Sequence, residues 1–359
     1  MAEDKILFLL PYPLHKAPSQ RFRVENLLHL LDDAGRSYDL APFMTEAVWH
    51  ILYREGSLLR KATGISSSYA RRLALVLFRA RRYQYIFIHR EAAPLGPPLM
   101  EWLLKKLWNK KIIYDFDDAI WIPNTSAQNK IAGLVKAFWK VPYICRWSYK
   151  ISAGNDYLAA FAQQSGARNI VRVPTVVNTD TRYNRLREHR PGNKVIGWTG
   201  SHSTLKYLDD ILPVLTALQE HMDFTFLVIA DKKPELPLRN WRFVPWNPDT
   251  EIDDLLQIDI GIMPLTPDAW SEGKCGFKLI QYMALGIPAV ASPVGVNTRI
   301  VDEGVSGFIA DTPGAWQNAL AQLLEDTGLR ARMGAAGREK IVSGYSVAAV
   351  KADFLSLFS

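Results

Sequence analysis

The sequence predicts an α/β protein built from two doubly wound parallel sheets, and three observations carry that expectation. Strand-like and helix-like runs alternate along the whole chain, the pattern of repeated βα units. Several strand-like runs are almost continuously apolar, as parallel strands covered on both faces must be. The charge also divides. Residues 1–185 hold 27 Lys and Arg against 15 Asp and Glu, a net of +12, and residues 186–359 hold the remaining 16 against 21, a net of −5. Two halves of opposite sign in a chain of 359 residues read as two domains.

In the first half, KILFLL (5–10), YQYIFIH (83–89), KKIIYDF (110–116) and NIVRVP (169–174) read as strands, with RVENLLHLLDDAG (23–35) and PPLMEWLLKKLW (97–108) as helices between them. In the second half the strands are KVIGWTG (194–200), FTFLVIA (224–230), WRFVPW (241–246), DIGIMPL (259–265), PAVASP (288–293) and GFIA (307–310). The polar segment RLREHRPGN (185–193), with Pro191 and Gly192, reads as the linker between two Rossmann-like domains. Ligands of open α/β sheets bind beyond the carboxyl ends of the strands. Two such ends facing each other would form a central cleft, so the residues that follow strands are the ones to weigh.

Composition narrows the setting. Hydrophobic residues make up 48% and charged residues 22%, an ordinary globular balance. No apolar run is long enough to predict a membrane-spanning helix. The opening MAEDKILFLLPYP carries acids where a signal peptide needs bases, and it reads as a first strand. Cys145 and Cys275 stand 130 positions apart, a spacing of neither a zinc site nor a disulfide framework. A reducing, cytoplasmic setting is expected.

Five strand ends hold candidate residues. In GWTGSHSTLKYLDDI, the amides of Gly200 to Ser203, Ser201 among them, could cradle an oxyanion, with Lys206 opening a helix and adding charge. The plainer reading is an ordinary turn and a solvated lysine. In EGKCGFKLIQYMALGIPAVASPVG, Gly276 lets a backbone approach a ligand closely, and a helix beginning near Phe277 aims its free amides at whatever sits there. Lys274 and Lys278 oppose the dipole of that helix by a few tenths to about 1 kcal/mol each, which makes sense if an anion is present. Extension of both lysines into solvent is the alternative. After the first strand, Arg21 and Arg23 fall in the first turn of the first helix, again against the dipole. Arginine forks recognise phosphate or carboxylate, and ion pairs with Glu25 or Asp32 are the local alternative. His89, Arg90 and Glu91 end the strand in FIHREAAPLGPP. Asp115, Asp117 and Asp118 end the next, in YDFDDAIW, where close carboxylates repel one another and are costly if buried without partners. N-capping by Asp117 or Asp118 is compatible with a role in a site. Phosphate-cradling loops in the second half, with acids and arginines in the first, suit a nucleotide-diphosphate compound and a hydroxyl-bearing acceptor.

The two-domain plan, IGWTGSHSTLK and GKCGFKLIQYMALGIPAVASPVG…IVDEGVSGFIA together resemble the GT-B glycosyltransferases of family 4, retaining enzymes that transfer a sugar from a nucleotide-sugar donor. The resemblance spans essentially the whole chain, and HREAAPLGPPLMEWL…YDFDDAIW looks like a bacterial subgroup. It implies an acceptor domain over 1–185, a donor domain over 186–343 and a last helix over 344–359 that crosses back onto the first domain. In the family an arginine and, five residues later, a lysine neutralise the donor diphosphate. Lys206 matches the lysine, and Ser201 stands at the arginine position. The family also carries two glutamates eight positions apart, the second binding the donor ribose. Here Gly273, with Glu272 adjacent, and Gln281 occupy those places. Gln281 offers its amide to a ribose hydroxyl, and Lys274 and Lys278 supply charge in place of the arginine. Trp246, with Val244 and Pro245, falls where the family holds the base, largely through backbone contacts.

The expected chemistry is departure of a nucleoside diphosphate from an anomeric carbon, its developing charge met by fixed amides and lysines. Lys206, Lys274, Asp117 and Asp118 are the candidate catalytic residues; Arg21, Arg23, His89, Arg90 and Glu91 are candidates for the acceptor side. The design requires no metal and no cofactor. Asp115-Phe116-Asp117 has the D-x-D form that binds a divalent ion in the other large glycosyltransferase fold, but it sits in the domain opposite the diphosphate site and is read as no metal site. Two basic stretches remain. LLRKATGISSSYARRLALVLFRARR (58–82) interleaves Arg60, Lys61, Arg71, Arg72, Arg79, Arg81 and Arg82 with aliphatics. KIAGLVKAFWKVPYICRWSYK (130–150) interleaves Lys130, Lys136, Lys140 and Arg146 with Phe138, Trp139 and Trp147. Such stretches suit an anionic membrane surface, with solvated helix faces as the alternative. The expectation is a peripheral enzyme on the inner face of the membrane acting on a lipid-linked or cell-envelope glycan. No nucleic-acid module accompanies the basic half, so no nucleic-acid partner is expected. A sugar-nucleotide-binding pseudoenzyme and a nucleotide-sugar epimerase share the architecture and stand as competing functions.

Overall fold

The computed structural model describes residues 5–52, 56–123, 136–192 and 194–359. Lys130, at the head of the second basic stretch, lies outside the described residues. The chain forms two compact units, Met1–Thr175 with Val350–Ser359, and Val176–Ala349.

The first unit holds a six-stranded sheet in the order β2-β1-β3-β4-β5-β6. Its strands are β1 Ile6–Leu10, β2 Tyr38–Pro42, β3 Tyr85–His89, β4 Lys111–Phe116, β5 Lys150–Ala153 and β6 Ile170–Arg172. All neighbours pair in parallel. β1 and β3 are buried at every position, which explains sequences apolar throughout except for His89 at the end of β3. With this strand order, the right-handed rule for parallel crossovers puts the helices Leu58–Ala74, Leu99–Lys106, Lys140–Trp147 and Asp156–Gln164 on one face. The opposite face is covered by Leu28–Asp33 and by the last helix, Lys351–Ser356, beyond which Phe358 packs against Phe8, Tyr85 and Phe87. β2 and β5 are not anticipated by the sequence pattern. β2 is an edge strand, half-buried throughout, with Asp39 and Pro42 breaking the apolar run. β5 has only four residues. The register of β3 and β4 sets His89 beside Asp115.

The second unit holds six parallel strands in the order β12-β11-β10-β7-β8-β9. They are β7 Val195–Gly200, β8 Thr225–Ala230, β9 Trp241–Pro245, β10 Ile260–Met263, β11 Ala289–Ala291 and β12 Gly307–Ile309, each inside a run expected from the sequence. Trp198, Phe226, Val228, Ile260 and Val290 pack with Leu320 and Leu323 in its core. Tyr282, from the helix Phe277–Ala284, lies so close against β10 that a Cβ on Gly261 would stand 2.3 Å from its ring. The Tyr282 hydroxyl then accepts the Thr199 amide of β7 at 2.9 Å.

The chain divides ten residues earlier than the polar segment suggests. Val177 bridges to Ser346, Arg182 reaches Glu251 at 2.8 Å, and Arg187 bonds both Asp259, at 2.9 Å, and the Leu256 carbonyl, at 2.8 Å. Residues 176–192 are therefore a hydrogen-bonded margin of the second unit, and RLREHRPGN is polar because it is surface and not because it is a free linker.

Candidate active site

In the second unit the first strand end is shaped by steric necessity. A Cβ on Gly200 would meet the Trp198 ring at 2.5 Å and Thr204 Oγ1 at 2.8 Å. The turn that follows is the 3-10 helix His202–Leu208, which closes on itself. The Thr204 amide and hydroxyl both donate to the Ser201 carbonyl, at 2.9 and 2.8 Å, and Ser201 Oγ lies 2.8 Å from Ser203 Oγ. The His202 amide donates to Asp231 Oδ1 at 2.5 Å. These contacts bear on two expectations. Of the amides expected to cradle an anion, that of His202 is already committed to Asp231. Lys206 does not open a helix but stands in the last turn of this one, where a cation suits the dipole.

Lys206 and Lys274 nevertheless converge. The Lys206 ammonium lies 5.2 Å from the Tyr207 ring centroid, and the Lys274 ammonium lies 5.7 Å from the same centroid and 5.7 Å from that of Trp270. Tyr207 is itself 3% exposed, with its hydroxyl 3.1 Å from Ser271 Oγ. Two segments far apart in sequence thus bring two cations to one aromatic ring, within cation–π range. Lys278 stands over Trp198 at 5.4 Å, one residue inside the helix that begins at Phe277. Gly276 caps this helix at φ 66°, and a Cβ there would strike Ile300 Cδ1 at 2.1 Å, so glycine is required twice over. Glu272 accepts the Gly295 amide at 3.1 Å and so ties the loop before the helix to the loop after β11. Lys274, Lys278, a glycine at positive φ and the start of a helix are thus neighbours in this segment.

Gln281 and Trp246, expected at the ribose and the base, are joined by hydrogen bonds within the chain. The Gln281 amide group donates to the Tyr183 hydroxyl at 2.7 Å and to Glu251 Oε1 at 3.3 Å. Glu251, 4% exposed, also accepts the Trp246 indole at 3.1 Å and Arg182 at 2.8 Å. The Trp246 amide is committed to the Ala230 carbonyl at 2.9 Å. Glu251 is the residue that sequence reasoning missed. It reads as an ordinary acid in the first turn of Glu251–Leu255, and nothing local marks it as the centre of a network.

In the first unit the strand ends form a closed set of ion pairs. Asp115 is 1% exposed and accepts Arg23 Nη2, His89 Nδ1 at 2.7 Å and Ser152 Oγ at 2.6 Å. Burial would raise its pKa, but the Arg23 charge and the His89 hydrogen bond hold it below the usual range. His89, with no exposed surface, also meets Ser19 Oγ at 2.9 Å through Nε2. Arg90 adopts φ 60°, a conformation rare outside glycine, and turns its guanidinium onto Asp117, at 2.7 Å, and Asp118. Burial opposes the charge on Asp117, yet Arg90, His89 and Arg23 keep it well below the usual carboxylate range. Glu91 pairs with Lys140 at 2.9 Å, and burial raises its pKa in spite of that lysine.

The three neighbouring acids are therefore separated by partners, Asp115 facing the sheet and Asp117 with Asp118 facing Arg90. Arg21 and Arg23 lie in the last turn of the helix Pro18–Arg23, not in the first turn of a later helix, because Pro18 starts the helix early. Their charges agree with its dipole. Arg23 is 1% exposed and is held by Asp115, Ser152 and the Val173 carbonyl, so it supports the strand ends from inside and does not face an acceptor. Arg21 is 7% exposed, its guanidinium 5.1 Å from the Phe22 ring.

Residues 193–326 match the family model described as Glycosyl transferases group 1. Sucrose-phosphate synthase from Thermosynechococcus elongatus superposes with a TM-score of 0.71 at 14% identity, over 99% of this chain and 98% of that one. A glycosyltransferase from Rickettsia africae ESF-5 gives 0.70 at 15% identity, over 100% and 98%. Anabaena Alr3699/HepE, in complex with UDP and glucose, gives 0.64 at 14% identity, over 99% of both. The fold is thus that of the GT-B glycosyltransferases. D-inositol 3-phosphate glycosyltransferase of Corynebacterium glutamicum (strain R) is 37% identical over 86 residues, which are 23% of this chain and 20% of that protein. The chain therefore spans about a fifth of the length of the curated relatives it matches.

Proposed function

We propose that this chain is a retaining family 4 glycosyltransferase that moves a sugar from a nucleotide-diphosphate sugar to a hydroxyl of a lipid-linked or cell-envelope glycan. The observation that carries the reading is the convergence of Lys206 and Lys274 on Tyr207, beside a glycine-capped helix N-terminus, within the segment that matches group 1 glycosyl transferases. In the reaction the anomeric C–O bond to the diphosphate breaks, a bond to the acceptor oxygen forms, and the acceptor's hydroxyl proton leaves with the departing diphosphate. Charge accumulates on the departing diphosphate, and Lys206, Lys274, Lys278 and the amides at Phe277 stabilise it in place. Because these cations are fixed in the chain, we assign no metal to the step. On the acceptor side, the Arg90 clamp with Asp117 and Asp118 is the candidate for holding the hydroxyl.

Alr3699/HepE is described with UDP and glucose, so UDP compounds are the first donors to test. A thermal-shift panel of UDP, GDP, ADP and TDP identifies the nucleotide, since a ligand of the native state raises apparent stability by mass action. Donor hydrolysis or transfer is then measured with Lys206→Ala and Lys274→Ala. Each is expected to lose most turnover; unchanged rates in both would refute the diphosphate assignment. Anomeric configuration of the product tests retention, and activity in a chelator tests metal independence. The commitments of Gln281 and of the His202 amide favour one second reading, a sugar-nucleotide-binding pseudoenzyme. Nucleotide binding with neither hydrolysis nor transfer would establish it.

A further inference from the structure

Large apolar side chains exposed among the described residues are concentrated in the first unit. Trp102 is 45% exposed, Leu99 48%, Trp139 54% and Tyr143 48%. They fall on the outward faces of two neighbouring helices. Leu99 and Trp102 are three apart on Leu99–Lys106, whose Met100, Glu101 and Leu104 are buried instead. Trp139 and Tyr143 are four apart at the start of Lys140–Trp147, with ring centroids 5.9 Å apart, and Tyr143 continues to Trp147 at 6.1 Å. The two helices pack against each other and, by the handedness of their crossovers, belong to one layer on one face of the sheet. Lys106 and Arg146 are exposed on the same two helices, and Lys136 is exposed three residues before Trp139. The only acid on either helix, Glu101, is 2% exposed and accepts the Ala92 amide at 3.0 Å. An outer face that carries tryptophan, tyrosine, leucine and basic heads, without an exposed carboxylate on either helix, is complementary to a negatively charged amphiphilic surface.

The geometry points to this face as a membrane-docking surface that sets Trp102, Trp139 and Tyr143 into the headgroup boundary of an anionic bilayer. The aromatic side chains have an apolar body and a polar edge, the chemistry of the interface rather than of the bilayer core. Lys106, Lys136 and Arg146 lie at headgroup level. The docking does not depend on the diphosphate site, which belongs to the other unit.

The test uses the full chain and sedimented vesicles of phosphatidylcholine alone or with roughly one-third phosphatidylglycerol. The protein is expected to sediment with the anionic vesicles only, less so as salt rises. A Trp102→Ala/Trp139→Ala/Tyr143→Ala variant is expected to lose binding by about tenfold or more, and Lys106→Glu/Arg146→Glu by a similar factor. Nucleotide-induced thermal shifts on the same samples report folding and the donor site separately, so a failure here is distinguishable from a failure there. Three results would overturn the proposal: no sedimentation with either vesicle, equal sedimentation with both, or unaltered binding by the folded triple variant. A concentration-dependent dimer in light scattering that the triple variant abolishes, without vesicle binding, would also overturn it and assign the face to a second copy.

Discussion

The two strand-end sites solve the same electrostatic problem in opposite ways. In the first unit, acids and bases are matched inside the fold: Arg23 with Asp115, Arg90 with Asp117 and Asp118, Lys140 with Glu91. In the second, Lys206 and Lys274 are gathered over one tyrosine, and Lys278 over a tryptophan, at a helix N-terminus. A matched set is stiff and holds its geometry with or without a ligand. The lysines of the second unit are instead placed over aromatic rings, and on the proposed function that is where a diphosphate would meet them. The difference teaches that charge at a strand end can serve two ends: ion pairs such as Arg23 with Asp115 hold the strand ends together, and cations set over aromatic rings bring separate segments to one place.

The comparison can be broken by substitution, and the largest effect is expected in the first unit. Asp115→Ala strands Arg23 in the interior and is expected to cost on the order of 3–5 kcal/mol, read by urea unfolding. A wild-type midpoint in that variant would show the cluster is not matched as described. Next, Lys206→Ala and Lys274→Ala should each lower turnover by roughly 100-fold while leaving the unfolding midpoint in place. Stability loss without loss of turnover would reverse the roles of the two units. Gly276→Ala, strained at its positive φ and blocked by Ile300, should cost about 1–3 kcal/mol and weaken nucleotide binding. Acid provides a gentler probe. The folded pKa values of Asp115 and Asp117 are depressed, so their contribution to stability is complete above the unfolded value of about 4 and is lost as pH falls through the lower folded values. The urea midpoint should therefore fall between pH 5 and strong acid, and Asp115→Asn should flatten that slope. The smallest effect, about 1 kcal/mol, is expected from Tyr183→Phe, which removes one hydrogen bond from Gln281.

Much of the architecture was legible because parallel strands buried on both faces must be apolar, and all six strands of the second unit announced themselves in that way. β2 and β5 did not, one being a half-buried edge and the other only four residues long. At the site, Gly276, Lys274 and Lys278 were placed correctly at a helix start, because glycine and a helix boundary leave local marks. Lys206 and the pair Arg21 and Arg23 were placed at the wrong ends of their helices. Helix boundaries cannot be read from charge when the helix is only about two turns long. The hub at Glu251 was invisible, since its partners Arg182, Trp246 and Gln281 come from three separate segments. Arg23 looked like a ligand-binding residue for a related reason: its partner Asp115 lies 92 positions away.

The contact of Tyr282 with Gly261 and the Thr199 amide has a consequence in time as well as in space. One side chain fastens the helix that starts at Phe277 to the central strand that leads into the Lys206 loop. The two carriers of positive charge are thereby parts of a single body and do not have to find each other at each encounter with a ligand. The Thr199 amide should accordingly exchange its hydrogen among the slowest in the unit, and Tyr282→Phe should release it without emptying the core. Where such a clasp is present, association is limited by arrival of the ligand rather than by assembly of its receptor.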